Sequence, residues 1–259
     1  MSTTASSQDQ FKYTTIAHSD HRYCCPLSPA KARELIAALN LPQNALVLDA
    51  GCGKAALLRE LLQSMPVRGV GVDINSQFLA EAARSWAASN PNDPRLTLIE
   101  NRVERHPLPT DGYDAIICIG SSHVFGGFER CLATSMQWLK PSGVLLIGEG
   151  YWKQSPSDQY LAILGATRDE LTSHSQNTQH ALTHGYKLLT STISSDDEWD
   201  QYEGLYYQTM MRHVAACPED PDATAFGERA RRWYDNYQEA GRSTLGFGYY
   251  LLENPPLPR

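Results

Sequence analysis

The stretch VLDAGCGKAALL, Val47 to Leu58, reads as the end of a strand, a glycine turn and the start of a helix in immediate succession. An apolar run ends at Asp49 and Gly51. Apolar residues then return at helical spacing from Ala55 to Leu62, among strong helix formers. Backbone N–H groups at the start of a helix attract anions, and glycine lets a ligand approach the chain closely. The stretch therefore predicts a ligand-binding turn in an α/β fold.

Two phosphate-binding motifs can be compared with this turn. A Walker loop needs a glycine where Leu48 stands and a serine or threonine where Ala55 stands, so that motif is absent. A dinucleotide-binding turn needs a third glycine at the position of Ala56, where some versions of the motif accept alanine. A nicotinamide dinucleotide therefore stays an open alternative for the ligand.

Composition excludes several classes of protein. The 259 residues include 29 acidic and 22 basic side chains, a net charge of -7, with no basic run that could follow a nucleic-acid backbone. No apolar stretch is long enough to span a membrane, and the N-terminal residues lack the pattern of a signal peptide. We expect a single folded cytoplasmic domain that binds neither nucleic acid nor membrane.

The six cysteines contain no CxxC pair, which predicts free thiols in or near the core. A cluster of His18, His21, Cys24 and Cys25 matches no standard zinc spacing. We therefore predict no metal site.

Strand and helix patterns alternate along the chain. Residues 1–12 are polar and predict a flexible tail, and 13–40 predict an N-terminal lid containing a helix from Pro29 to Asn40. Apolar strands separated by helices over 41–152 indicate a doubly wound, mostly parallel sheet. Residues 153–259 predict substrate-side helices, inserted after strands five and six, and the last two of seven strands.

Acidic residues end the first two strands, at Asp49 and at Asp73 in GVGVDIN. Ligands of open parallel sheets bind at the carboxyl ends of the strands, where Asp73 can accept both hydroxyls of a ribose. These positions indicate a ligand that contains adenosine, and they suit NAD and S-adenosylmethionine equally.

The order of motifs separates these two ligands. VLDAGCGKAALL, GVGVDIN, YDAIICIG and LKPSGVLLIGEGYW together resemble the motif series of class I S-adenosylmethionine-dependent methyltransferases over about Leu46 to Trp152. HRYCCPLS, GSSHVFGGF, GEGYW and DEWDQYEG resemble a bacterial subgroup of small-molecule methyltransferases, the YjhP-like proteins. The resemblance implies a Rossmann-like methyltransferase fold, S-adenosylmethionine as cofactor and a small organic methyl acceptor.

The same resemblance assigns the cofactor site. In this family Gly-Asp-Ala commonly follows strand three and its Asp contacts the adenine amine, whereas here Asn101 or Arg102 stands at that place. An asparagine oxygen can accept from the amine, and an arginine side chain cannot. The implied cofactor-binding residues are Asp49, Gly51, Cys52, Gly53, Asp73, Ile74, Asn101, Arg102, Val103 and Gly120.

Methyl transfer needs alignment of donor and acceptor, and a base only where the acceptor carries a proton. His123, after strand four, is the first candidate base, because a histidine titrates near neutral pH. Glu149, which ends strand five, is the second candidate. The predicted acceptor pocket consists of His21, Ser121, Ser122, Tyr151 and Trp152. Two alternatives stay open: the protein is an NAD-dependent oxidoreductase, or it is a regulatory protein that binds S-adenosylmethionine without turnover.

Overall fold

The computed structural model describes residues 7–256, which form a seven-stranded sheet in the order β3-β2-β1-β4-β5-β7-β6. The first five strands are parallel to one another, and β7 runs antiparallel to both β5 and β6. This confirms the predicted doubly wound, mostly parallel sheet. The strands are β1 (Leu46–Ala50), β2 (Arg68–Asp73), β3 (Leu96–Glu100), β4 (Tyr113–Ile119), β5 (Leu139–Trp152), β6 (Lys187–Ile193) and β7 (Leu245–Glu253).

Helices cover both faces of the sheet. They are α1 (Ser7–Ala17), α2 (Pro29–Leu39), α3 (Ala56–Ser64), α4 (Ser76–Ser89), α5 (Phe128–Trp138), α6 (Asp158–Leu164), α7 (His174–Thr183), α8 (Asp196–Ala216) and α9 (Ala223–Asn236). The helices inserted after β5 and β6 are therefore as predicted. Helix α2 begins where the sequence places it, because the Ser28 hydroxyl accepts from the Lys31 amide and Pro29 needs no partner for its nitrogen.

Neighbouring residues of the central strands enter different cores. Val47 packs with Leu146 and Tyr249 on the face covered by α2 and α3. Leu48 packs with Ile116 and Leu145 on the face covered by α5 and α7. Strands buried on both faces explain the nearly continuous apolar runs in the sequence. Polar residues follow the carboxyl ends of β1, β2 and β4, so the two apolar cores end there.

The N-terminal region differs from the sequence prediction. The flexible tail predicted for residues 1–12 is wrong for residues 7–12, which form the first half of α1, and residues 1–6 lie outside the described range. Ala17 packs with Met210 of α8 and Ala230 of α9, and the Asn75 side chain donates to the Thr15 hydroxyl at 2.8 Å. Residues that are distant in the sequence therefore hold α1 in place.

Strand β5 is longer than its apolar run. Its pairing with β7 continues to Trp152, which lies opposite Leu245. The end of β5 therefore extends beyond the parallel part of the sheet. Within residues 7–256, the structure has no helix that is long and apolar enough to cross a bilayer.

Candidate active site

The glycine turn after β1 is pressed against the end of β4. Gly51 and Gly53 both have positive φ, +71° and +52°, and the Gly51 amide donates to the Val72 carbonyl at 2.9 Å. A Cβ atom on Gly51 would lie 2.5 Å from the Cβ of Ser121, closer than packed carbons allow. Ser121 is itself fixed by donation to the Ala50 carbonyl at 2.7 Å. Gly51 is therefore required both by its backbone angle and by its neighbour.

Asp73 is oriented toward this turn before any ligand arrives. One of its carboxylate oxygens accepts from the Gly53 amide at 2.7 Å, and the other accepts from the Asn75 amide at 2.8 Å. Each carboxylate oxygen can accept more than one hydrogen bond. Asp73 therefore presents a fixed acceptor pair at the edge of the turn, as two vicinal hydroxyls require.

An open cleft of about 410 Å³ lies above the carboxyl ends of β1, β2, β3 and β4. Such a volume is ordinary for a small-ligand site. Ile74 lines it with 43% of its surface exposed, an apolar surface available to a planar ring. Ten of the residues that the sequence predicts for the site line this cleft: Gly51, Gly53, Asp73, Ile74, Asn101, Arg102, Val103, Gly120, Ser121 and His123.

At the position that departs from the family pattern, the Asn101 side chain already takes part in a local hydrogen bond. Its side-chain oxygen accepts from the Arg102 amide at 2.9 Å, and the Arg102 guanidinium lies 3.8 Å from the Glu104 carboxylate. Val103 is buried and also lines the cleft. Neither Asn101 nor Arg102 supplies the side-chain carboxylate that is common at this position.

Asp49 and Cys52 lie on a smaller pocket beside the cleft. The two pockets share four lining residues, Cys24, Gly51, Gly53 and Ile119, so they adjoin each other at the glycine turn. Asp49 is 5% exposed, and burial, together with the nearby Asp73, raises its pKa to about 8. Asp49 is therefore mostly protonated at neutral pH, and a ligand that carries a positive charge would favour its ionised form.

Glu149, Tyr151 and Trp152 are not among the described residues that line this cleft. Alternation along β5 turns Glu149 to the face covered by α5 and α7, where burial raises the pKa of its carboxyl. Tyr151 covers Gly246 of β7, and Trp152 packs in a separate cluster with Tyr160. The extension of β5 beyond the parallel strands is the physical reason that they lie elsewhere.

Two further predicted pocket residues lie just behind the lining. Ser122 is buried in the turn after β4, and it is absent from the described lining of the cleft. His21 is also buried, and its Nε2 atom lies 3.0 Å from the Tyr202 carbonyl oxygen. Because that oxygen can only accept, His21 donates to it and thereby positions Tyr202.

The sequence predicts an N-terminal lid that includes His21, but it did not identify the contacts that hold this segment beside the cleft. The ammonium group of Lys54 is 4% exposed, donates to the carbonyls of Ser19 and His21 at 2.9 Å, and lies 3.1 Å from the Glu81 carboxylate. His18 lines the cleft together with Tyr202 of α8. The one available signal was Lys54 itself, since a lysine directly after a glycine turn that binds no phosphate needs other partners.

Comparisons with known proteins agree with this geometry. A family model described as a methyltransferase domain matches residues 47–143. The chain is 28% identical to the uncharacterised protein YjhP of Escherichia coli, over 92% of this chain and 96% of that protein. It is 34% identical to a malonyl-[acyl-carrier protein] O-methyltransferase of Halalkalibacterium halodurans, over 80% of this chain and 71% of that enzyme.

A solved structure extends the likeness to the whole fold. The crystal structure of an S-adenosylmethionine-dependent methyltransferase from Geobacter sulfurreducens, in complex with S-adenosylhomocysteine, superposes with a TM-score of 0.87 at 27% identity. The alignment covers 96% of this chain and 98% of that one. The likeness therefore includes α1 and the helices after β5 and β6, as well as the central sheet.

Proposed function

Because this chain belongs to the class I S-adenosylmethionine-dependent methyltransferase family, we propose that it transfers a methyl group from S-adenosylmethionine to a small organic acceptor. The observation that carries the proposal is Asp73, which is held by the Gly53 and Asn75 amides at the edge of an open cleft. This arrangement joins the glycine turn to a ribose acceptor in one rigid unit.

The residues present fit the two ends of this cofactor. Asp73 and Ile74 suit the ribose and the adenine ring, and Val103 lines the same cleft. The pocket beside the glycine turn suits the methionine end, since Asp49 offers a buried carboxylate to an ammonium group. Gly51 and Gly120 also line the cleft, and without side chains they would leave room for the middle of the cofactor.

The cofactor supplies a methyl carbon that its sulfonium already activates, so this chain has to align the acceptor and exclude water. His123 is exposed in the turn after β4 and lines the cleft, so it can take a proton from the acceptor and pass it to solvent. Tyr202 and His18 line the same cleft. The acceptor then binds between the turn after β4 and the N-terminal helix.

Calorimetry with S-adenosylmethionine, S-adenosylhomocysteine and NAD tests the cofactor. We expect the first two to bind and NAD to leave no heat of binding. Asp73→Asn should weaken S-adenosylhomocysteine by about tenfold or more, because hydrogen bonds to a charged group are lost. Asp111→Asn, an exposed surface aspartate, is the control. Unchanged affinity in Asp73→Asn, or binding of NAD alone, contradicts the proposal.

A further inference from the structure

Asn75, which lies two residues after Asp73, is a buried residue with three separate hydrogen-bonding roles. Its backbone amide donates to the Asp73 carboxylate at 2.8 Å. Its side-chain oxygen accepts from the Gln77 and Phe78 amides at 3.1 and 3.3 Å, and so caps α4. Its side-chain nitrogen donates to the Thr15 hydroxyl of α1 at 2.8 Å. A residue that is only 4% exposed therefore connects Asp73, α4 and α1.

The capping contacts fix the direction in which the Asn75 amide group faces. Backbone amides can only donate, so the atom that faces Gln77 and Phe78 is the oxygen, and the nitrogen is directed at Thr15. An ionised aspartate could cap α4 equally well, but it would have no hydrogen to donate to Thr15. Capping alone therefore does not account for an asparagine at this position, whereas capping combined with a contact to α1 does.

Helix α1 lies between the cleft and the helices that follow β6. Phe11 and Thr14 of α1 line the cleft. Ala17 packs against α8 and α9, and the Lys12 ammonium lies 2.7 Å from the Asp220 carboxylate in the loop between these two helices. The part of the cleft wall that Phe11 and Thr14 form therefore exists only while α1 is docked in this position.

One side-chain hydrogen bond joins α1 to the parallel part of the sheet and its helices. Of the α1 side chains that the structure describes, residues 11–17, only that of Thr15 makes such a bond, and its partner is Asn75. Ile74 alone separates Asn75 from Asp73 in the chain, and all three of these residues line the cleft. The contact between Asn75 and Thr15 therefore joins α1 to the segment that holds the Asp73 carboxylate.

We propose that Asn75 is a positioning residue that couples cofactor binding to the docking of α1. This inference rests on the proposed function and adds to it how the cofactor is retained. A cofactor held by Asp73 and covered by Phe11 and Thr14 binds the docked state better than an undocked state, which lacks that part of the wall. By linkage, the bound cofactor stabilises the docked state by the same factor. Undocking of α1 is then the step that releases the cofactor.

Amide hydrogen exchange measures this coupling in the wild-type protein. We expect saturating S-adenosylhomocysteine to slow exchange over residues 11–17 by about fivefold or more, because the bound ligand opposes undocking of α1. Helix α7 is the internal reference, since none of its residues is among the described lining of the cleft. Exchange in α7 should not change when the ligand binds.

Thr15→Val tests the contact itself, because valine keeps the shape of the side chain and removes the acceptor. Thr15 is not among the described residues that line the cleft, so the surface that meets the cofactor is retained. We expect S-adenosylhomocysteine to dissociate about three- to tenfold faster, since undocking then breaks one neutral hydrogen bond fewer. Exchange over residues 11–17 in the free protein should become faster by a similar factor. Surface plasmon resonance measures the dissociation rate.

Two further variants separate positioning from a merely structural role. Thr15→Ser keeps the hydroxyl and should bring the dissociation rate back to within about twofold of the wild type. Thr183→Val is the matched control, because it makes the same change at an exposed position of α7. Neither the dissociation rate nor exchange over residues 11–17 should change in this control. A contact that only stabilises α1 would alter exchange and leave the dissociation rate as it is.

The possible results separate the two proposals. Failure of the wild-type protein to bind S-adenosylhomocysteine overturns the proposed function, and the inference is lost with it. If that ligand binds, the coupling alone is overturned by unchanged exchange over residues 11–17, or by equal dissociation rates in Thr15→Val and the wild type. Should Thr15→Val fail to fold, the effect of S-adenosylhomocysteine on exchange in the wild type still decides the matter.

Discussion

At the level of single residues, Gly51 combines two constraints that substitution can separate. Its φ of +71° strains any residue with a Cβ, and that Cβ would also collide with Ser121. Gly165 shares the backbone constraint, with a φ of +66°, but has no atom within 4 Å of a Cβ position. The pair therefore distinguishes backbone strain from the packing of the turn against β4.

We expect Gly51→Ala to lower the free energy of unfolding by about 3 kcal/mol or more, since strain and overpacking add. Gly165→Ala should lower the free energy of unfolding by about 1 to 2 kcal/mol, because only the strain of the left-handed backbone applies there. Urea denaturation of both variants measures the difference. Equal losses in the two variants would show that Ser121 moves aside, and the turn would then be less rigid than its geometry indicates.

His123 provides a second residue-level prediction, on the chemical step. His123→Ala should lower the rate of S-adenosylhomocysteine formation by about 10²-fold or more for any acceptor that the wild type methylates. Affinity for S-adenosylhomocysteine should stay within about twofold, because His123 lies in the turn after β4 and not at the adenosine end. Equal rates in the two proteins would remove His123 from proton transfer.

At the level of helices and strands, sequence patterns predicted the elements whose positions are set by neighbouring residues. The strand, glycine turn and helix around Gly51, and the start of α2 at Pro29, follow from caps, spacing and turn chemistry. Helix α1 was missed because its sequence is polar and its order comes from α8 and α9. Tyr151 and Trp152 lie away from the described lining of the cleft because pairing with β7 extends β5, and this pairing is a long-range property.

Lys54 joins two such elements, and removing its charge tests that connection. In Lys54→Met the carbonyls of Ser19 and His21 lose their donor, so the segment between α1 and α2 should open more often. Hydrogen exchange of residues 14–22 should become at least about tenfold faster, with exchange in β1 and β4 unchanged.

Lys153→Met provides the control for this experiment. Its ammonium pairs with Asp196 and the Arg242 carbonyl, and neither of these partners belongs to residues 14–22. Faster exchange over 14–22 in Lys153→Met as well, or protection there that survives in Lys54→Met, would show that packing of α1 alone orders the segment.

At the level of the whole molecule, the site is assembled from distant parts of the chain. The cleft joins the glycine turn and Asp73 to His18 of the N-terminal region and Tyr202 of α8. The spacing of motifs predicted the first pair, because both follow strands whose neighbours are set by the fold class. It could not predict the second pair, since no local pattern indicates which helix will cover the sheet.

Ligand binding, protonation and folding are coupled through Asp49. Its pKa of about 8 lies above the usual carboxyl value of 3.8, so the stability of the fold decreases as the pH rises from about 4 and the loss is complete near pH 8. A ligand ammonium group beside Asp49 reverses this preference, because it favours the ionised carboxylate. Binding should then release a proton below pH 8, and affinity should rise as the pH increases.

We expect the affinity for S-adenosylhomocysteine to increase by up to about tenfold per pH unit between pH 6 and pH 8, the limit for release of one proton. Calorimetry in buffers with different ionisation enthalpies counts that proton directly. Asp49→Asn, which cannot ionise, should bind more weakly at pH 8 and show no such slope. If wild type and Asp49→Asn share the same pH dependence, the methionine end of the cofactor does not lie against Asp49, and the ligand would have to bind in another orientation.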